Sequence, residues 1–179
     1  MTYRGQQHGP TPSSGGKQQN LNEQIQIIRI TAQFAHFLDA RAWIDLRALF
    51  TDTIDTDFTA SGVGIAPQPA DHIVGDWQLR LGSLSATHHM ITNHLVDIDD
   101  DTAICRATAQ AQHVLNESNG DQSFFTVGST YRFHLRRRSE GDWLITAFAL
   151  KPLWTAGNPD IFQRAATARA SVARETLQG

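Results

Sequence analysis

Four long segments in the second half of the chain constrain the fold most, because they alternate between apolar and polar residues or are rich in strand-forming residues. They cover residues 89–98, 102–116, 123–137 and 143–154. A period of two is typical of β-strands that bury one face. The residues between them, at 99–101, 117–121 and 139–142, are rich in Asp, Asn, Gly and Ser, which favour tight turns. These segments therefore predict an antiparallel meander of four strands.

The first half of the chain has a helical period instead. Residues 21–38 carry apolar side chains at helical spacing and predict a helix whose inner face holds Leu21, Ile25, Ile28, Ala32, Ala35 and Leu38. Four further apolar residues widen that face and predict deep burial, namely Ile27, Ile30, Phe34 and Phe37. The next residues predict a short helix from Trp43, a strand over 53–59, a loop over 62–69, a helix over 70–84 and a closing helix over about 160–177. Helices followed by a curved antiparallel sheet indicate an α+β fold in which the sheet wraps around the first helix and encloses a cavity.

Length and composition exclude several classes of protein. The 179 residues suit one domain, which we place at residues 21–179 behind a flexible tail over 1–20 that is rich in Gly, Pro, Ser and Gln. A formal net charge of −3 argues against a nucleic-acid partner. The first residues lack the apolar core of a signal peptide, and no stretch approaches the length of about 20 apolar residues that spans a bilayer. We therefore expect a cytoplasmic protein without a membrane partner.

Asp39 and His89 are the leading candidates for acid–base chemistry. Asp39 closes the first predicted helix, where the helix dipole favours cations, so a carboxylate there calls for another role. A cap or an ion pair with Arg41 is the structural alternative. His89 begins the first long strand, and an imidazole in a cavity with a carboxylate behind it forms a general base. A satisfied buried histidine is the alternative for His89 alone.

Strand parity extends this candidate site. If Ile91 faces the cavity, His89 and Asn93 do so as well. His113 ends a row of small residues on the next strand and points into the space above them. Thr130 and Arg132 share one face of the following strand, and in a pocket Arg132 would bind an anionic group or polarise a carbonyl. An exposed charge on a β-strand is the alternative for Arg132. Four aromatic residues are candidate apolar walls, namely Trp43, Phe58, Trp77 and Trp154.

The chain has eight histidines, so a metal site has to be considered. A zinc site needs three or four convergent ligands. His89 and His113 could converge, but no third histidine shares their parity on a facing strand. We therefore expect no metal and no other cofactor.

This order of elements resembles the SnoaL-like branch of the NTF2-like superfamily, a family of cone-shaped α+β barrels. The resemblance rests on the sequences at residues 37–43, 87–93, 101–103, 130–131 and 141–145, and it covers about residues 20–162. Within the branch, the chain is similar to scytalone dehydratase and hexachlorocyclohexane dehydrochlorinase. The resemblance implies an Asp39–His89 catalytic pair assisted by His113. It also places Thr130 and Arg132 where scytalone dehydratase has a Ser and an Asn, while Leu38 replaces a Tyr that precedes the Asp.

The resemblance implies a cofactor-independent lyase of the dehydratase type, in which the Asp–His pair abstracts a proton from a small, largely apolar organic substrate. Isomerase or polyketide-type cyclase chemistry in the same pocket is an alternative. A third alternative is a non-catalytic module that binds a small ligand. Because members of the superfamily commonly dimerise, a homodimer or a higher homo-oligomer is expected.

Overall fold

The computed structural model describes the backbone of residues 14–58 and 63–178, and the side chains of residues 18–57 and 66–170. Four helices and six strands form in this part of the chain. The helices are α1 (Ser14–Ala40), α2 (Trp43–Ala48), α3 (Ala70–Leu81) and α4 (Ile161–Gln178). The strands are β1 (Phe50–Phe58), β2 (Val63–Pro69), β3 (Ala86–Asp99), β4 (Thr102–Asn116), β5 (Gln122–Arg137) and β6 (Trp143–Gly157). None of the helices described is long and apolar enough to cross a membrane.

The six strands form one curved sheet in the order β2-β1-β6-β5-β4-β3. The predicted meander is confirmed, since β3, β4, β5 and β6 pair antiparallel in sequence order. Strand β1 joins the far side of β6 in parallel and pairs antiparallel with β2. The sheet is therefore mixed, and within the described residues it is unclosed, with β2 and β3 at its edges. The α+β class that the sequence predicted is confirmed.

The loop predicted over residues 62–69 is wrong, because residues Val63–Pro69 form strand β2. Pro67 and Pro69 suggested a loop because proline has no backbone N–H to donate to a neighbouring strand. Strand β2 lies at the edge of the sheet and pairs with β1 alone. An edge strand tolerates proline, since one side of its backbone needs no partner.

Helix α1 begins at Ser14, so residues 14–20 of the segment assigned to a flexible tail are helical, while residues 1–13 lie outside the described part of the chain. The predicted inner face is also partly wrong. Leu21, Ile25 and Ile28 are exposed. The predicted residues that do face the core are Ile27, Phe34, Ala35 and Leu38, and Thr31 lies among them. Helix α1 carries apolar residues on two faces, and periodicity alone does not select between them. Thr31 is polar and so falls outside an apolar pattern, but it can be buried because its hydroxyl donates to the Ile28 carbonyl at 2.8 Å.

The core lies between α1 and the concave face of the sheet. On β4, the alternate residues that face α1 are mostly small, with Ala103, Cys105, Ala107, Ala109 and Ala111 all buried. These short side chains let α1 approach the sheet. They also leave space above the end of β4 that carries Ala111 and His113. Phe34 of α1 fills the centre, with ring contacts to Phe50, Trp77, Tyr131, Phe133 and Phe148. This packing fixes the C-terminal end of α1, and Asp39 with it, against the start of β3.

Candidate active site

Asp39 and His89 are in direct contact where the end of α1 meets the start of β3. Oδ1 of Asp39 lies 2.6 Å from Nδ1 of His89, and Oδ2 accepts the backbone N–H of His89 at 2.7 Å. The hydroxyl of Thr87 donates to Oδ1 at 2.9 Å. The predicted meeting of the two side chains is therefore confirmed. The alternative of an Asp39–Arg41 ion pair is not what forms, because Nη1 of Arg41 donates to the main-chain oxygen of Asp39 instead.

The hydrogen bonds around Asp39 keep its carboxyl group ionised. Burial raises the pKa of Asp39, but the hydrogen bonds from the side chain and backbone of His89 outweigh burial, and the pKa lies below its ordinary value. An ionised carboxylate only accepts hydrogen bonds, so Nδ1 of His89 carries the hydrogen of this contact. The lone pair of the imidazole is then on Nε2. This protonation pattern is the one that a histidine base requires.

His89 lines an interior cavity of about 370 Å³ between α1, α3, α4 and the sheet. Most of its walls are apolar, with Phe34, Trp77, Val127, Phe148, Leu150 and Phe162 among them. The polar side chains at its surface are His89, His113, Ser129, Tyr131, Thr155 and Arg80. A mostly apolar cavity with a few convergent polar groups is typical of a binding site for a small organic molecule.

His113 lies on β4 beside His89, with the two ring centroids 5.8 Å apart. Its Nδ1 is 3.1 Å from the carbonyl oxygen of Phe125, and a carbonyl only accepts, so Nδ1 carries a hydrogen. Phe162 of α4 packs on the same ring, with the two ring centroids 4.9 Å apart. Burial lowers the pKa of His113 to about 4. The ring is therefore neutral at ordinary pH and offers the lone pair of Nε2 as a hydrogen-bond acceptor.

Asn93 does not face this cavity, so the prediction that it lies beside His89 is wrong. The register of β3 against β4 shifts between Thr92 and Leu95, which marks a β-bulge, and Asn93 sits in it with a φ of 55°. Its Nδ2 donates to the hydroxyl of Thr108 at 3.0 Å. The extra residue reverses the parity of the strand. His94 consequently faces α1 and lies 2.8 Å from the hydroxyl of Thr31.

Thr130 and Arg132 also lie on the other face of the sheet from His89, contrary to the prediction. Both side chains are exposed, whereas their neighbours Ser129 and Tyr131 are buried and line the interior cavity. Thr130, Arg132 and Asn93 instead line a separate, more polar cavity of about 810 Å³ on the outer face. A shift of one residue along a strand exchanges its two faces, and the likeness to scytalone dehydratase did not fix that register.

The four aromatic residues that were predicted to form apolar walls of the cavity lie in different parts of the molecule. Trp77 lines the interior cavity, as predicted. Trp43 lies beside a surface groove between α2 and α3. Trp154 packs over Gly128 on the outer face and is 48% exposed. The side chain of Phe58 lies outside the described residues.

Comparison with known protein families identifies the family to which this chain belongs. The model of the SnoaL-like domain family matches residues 19–149. The chain belongs to the SnoaL-like family.

Solved structures share this fold, and the predicted NTF2-like architecture is confirmed. A protein from Kribbella flavida is 27% identical with a TM-score of 0.70, over 76% of this chain and 95% of its own. A scytalone dehydratase-like protein from Novosphingobium aromaticivorans is 19% identical with a TM-score of 0.69, over 79% and 91%. The hexachlorocyclohexane dehydrochlorinase of Novosphingobium barchaimii is 15% identical with a TM-score of 0.63, over 81% and 96%. No curated protein matches the sequence.

Three polar residues of this SnoaL-like chain that the sequence did not predict as site residues lie in the cavity or behind the Asp39–His89 contact. Thr87 was noted only as part of a motif, although it is 8% exposed and bonds to Asp39. Ser129 and Tyr131 were passed over for their neighbours. The sequence signal that could have found them is the alternation along β5, since Phe133 and Leu135 share their parity and are apolar. Among the described residues, no three His, Cys, Asp or Glu side chains converge as a metal site.

Ser129 differs from the other polar residues of the cavity because its hydroxyl oxygen is buried without a hydrogen-bond partner of good geometry. It lies close enough to the phenol of Tyr131 to lower the pKa of that group, but burial dominates and raises the pKa of Tyr131 to about 12. Both hydroxyls are therefore neutral donors. A buried polar group without a partner is uncommon in a folded protein, so a bound ligand is a natural partner for Ser129.

Proposed function

We propose that this SnoaL-like protein is a cofactor-independent lyase of the dehydratase type that acts on a small, largely apolar organic molecule. The observation that carries the proposal is the 2.6 Å contact between Asp39 and Nδ1 of His89 at the wall of an apolar cavity. Because this contact occupies Nδ1 of His89, the lone pair on Nε2 is available to accept a proton. The dehydratase and dehydrochlorinase relatives of the same fold are consistent with this chemistry.

In the proposed reaction, Nε2 of His89 takes a proton from a carbon next to a carbonyl group of the substrate. The C–H bond breaks, and its electron pair forms an enolate. Asp39 stabilises the imidazolium that results and keeps its orientation. The enolate then expels a hydroxide from the neighbouring carbon to give a C=C bond. His89 returns its proton to that hydroxide, so the net change is the loss of one water molecule.

Two side chains on β5 would stabilise the enolate oxygen. Ser129 and Tyr131 both line the cavity, and their hydroxyls are neutral and able to donate. Donors that are already in place when negative charge develops lower the barrier without reorganisation. His113, being neutral with Nε2 as an acceptor, would hold the hydrogen of the substrate hydroxyl that leaves. It would not act as an acid at ordinary pH, because burial lowers its pKa to about 4.

Isomerisation or cyclisation of a carbonyl compound is the second candidate function. The neutral state of His113 favours it. With His113 neutral, His89 is the histidine of the cavity that exchanges protons. A base that returns its proton to a different carbon is an isomerase, and an enolate that attacks a second carbonyl group closes a ring. All these reactions share the first step, so proton abstraction is the property to test first. A module that only binds ligands would not catalyse it.

The experiment measures exchange of C–H for C–D in D2O by proton NMR, with a panel of β-hydroxy ketones that contain one or two rings. We expect exchange or loss of water for at least one compound with the wild-type protein. Replacing the base in His89→Ala should reduce the rate at least about a thousandfold, and Asp39→Asn should reduce it by about a hundredfold or more, since the wrong tautomer of the histidine becomes accessible.

His88→Ala is the matched control, because His88 is the exposed neighbour on the opposite face of β3. It should retain the wild-type rate. A compound that is turned over equally well by the wild type and by His89→Ala would remove the proposal. So would tight binding of panel compounds in the cavity with neither exchange nor loss of water at any pH between about 6 and 9.

A further inference from the structure

The end of α1 holds a residue whose backbone is in an unusual conformation. Arg41 follows the last residue of α1 with a φ of 59°, in the left-handed region that L-residues other than Asn and Asp seldom adopt. Residues two apart on a helix do not face each other, so a helical Arg41 would point away from Asp39. The left-handed turn brings the guanidinium back over the end of the helix.

The guanidinium of Arg41 makes three hydrogen bonds behind the catalytic pair. Nη1 donates to the main-chain oxygen of Asp39 and to the hydroxyl oxygen of Thr87, both at 2.9 Å. Nη2 donates to the carbonyl oxygen of Leu84 at 3.3 Å. These bonds tie the end of α1 to the segment that leads into β3. The guanidinium does not contact the Asp39 carboxylate itself in any hydrogen bond or ion pair that the described side chains form.

The geometry points to Arg41 and Thr87 as positioning residues for the Asp39–His89 pair, an inference that rests on the proposed function. A hydroxyl has one hydrogen and can accept through its lone pairs, and a guanidinium only donates. Because Arg41 occupies an acceptor position of Thr87, the hydrogen of Thr87 is directed to Oδ1 of Asp39, 2.9 Å away. The same oxygen accepts from Nδ1 of His89.

The consequence is a one-way chain of donors from Arg41 through Thr87 to Asp39, which His89 completes from the other side. Oδ1 takes hydrogens from Thr87 and His89, while Oδ2 takes the backbone N–H of His89. A carboxylate held by three donors cannot rotate away from the imidazole. Arg41 and Thr87 thus hold the hydrogen of His89 on Nδ1 and leave Nε2 free, although neither of them touches the cavity.

The test is nitrogen-15 NMR of the His89 ring, which reports its tautomer without any substrate. The wild type should show a single tautomer with hydrogen on Nδ1 and slow exchange of that hydrogen with water. Thr87→Val keeps the size of the side chain and removes the hydroxyl. We expect it to mix the tautomers and to speed the exchange about tenfold, which is the factor that one hydrogen bond contributes. Thr87→Ser, which keeps the hydroxyl, should restore the wild-type signal.

Arg41→Lys provides the second variant, because a lysine cannot donate to Asp39, Thr87 and Leu84 from one planar group. It should shift the His89 signal in the same direction as Thr87→Val, and the double variant should add little to either. Thr31→Val is the matched control, since Thr31 is a fully buried threonine whose hydroxyl lies beside His94. It should move the signal of His94 and leave that of His89 unchanged.

An unchanged tautomer and exchange rate in folded Thr87→Val and Arg41→Lys would overturn the inference. The same result in Thr31→Val as in Thr87→Val would overturn it too, because the effect would then be a general loss of packing. Failure of the proposed function has a different signature. In that case His89→Ala would not affect turnover, while the His89 signal of the wild type would still respond to Thr87 and Arg41.

Discussion

At the scale of single residues, the sequence predicted the contact between Asp39 and His89 but not the polar groups that line the cavity with His89. Asp39 and His89 each belong to a short local motif, and their meeting follows from the order of α1 and β3. Ser129 and Tyr131 depend on which face of β5 turns inward, and one residue of displacement exchanges the faces. The likeness that suggested Thr130 and Arg132 gave the right strand with the wrong parity.

Ser129 provides a prediction at this scale. Its buried hydroxyl lacks a well-formed hydrogen bond, so it destabilises the free protein. Ser129→Ala should leave the free energy of unfolding unchanged or raise it by up to about 1 kcal/mol, while lowering turnover about tenfold through loss of a donor to the developing oxyanion. Urea unfolding and the D2O exchange assay measure the two quantities. A loss of stability with unchanged turnover would mean that Ser129 has a structural partner and no ligand.

At the scale of elements, tight turns and alternation were enough to predict strands β3 to β6, whereas local irregularities were not predictable. Strand β2 was hidden by two prolines that an edge position tolerates. The bulge in β3 interrupts the alternation predicted over residues 89–98. A bulge needs only one extra residue. Asn93 adopts a positive φ there, but His94 and Asp97 belong to residue types that also tolerate this conformation, so the sequence does not single out Asn93.

The bulge in β3 is the subject of the next prediction. Asn93 has a φ of 55°, which Asn and Gly adopt at little cost and β-branched residues do not. Asn93→Val should lower the free energy of unfolding by about 1–3 kcal/mol, because strain is added and the bond to Thr108 is lost. Asn93→Gly loses the same bond without the strain, so it serves as the control and should cost much less in urea unfolding. Equal losses in the free energy of unfolding for Asn93→Val and Asn93→Gly would show that Asn93 is not needed for the backbone conformation of the bulge.

At the scale of the whole molecule, the fold was predictable because one apolar layer of helices and one curved sheet leave few arrangements. The small residues of β4 indicated both where α1 would pack and where space would remain. The position of the cavity followed from that pattern. Its closure by α4, through the contact of Phe162 with His113, did not follow, since the closing helix has several apolar residues that could face inward.

The burial of His113 under α4 makes the stability of the molecule depend on pH. Burial lowers the pKa of His113 from 6.5 to about 4, so the folded protein binds fewer protons than the unfolded chain between these values. Stability from this source is complete above pH 6.5, declines as the pH falls, and is lost below about pH 4. Asp39 acts in a separate window, because its lowered pKa contributes stability that is lost below its ordinary value of 3.8.

Urea unfolding at pH 7 and pH 5 isolates the contribution of His113. His113→Asn retains a donor for the carbonyl of Phe125 but does not titrate. From the change in pKa, the wild type should lose about 2 kcal/mol more than the variant between the two pH values. His94 and His134, whose pKa values burial also lowers, are present in both proteins and cancel in the comparison. If both proteins lost the same free energy, His113 would have to be accessible to protons in the folded state, and α4 could not be closing the cavity over it.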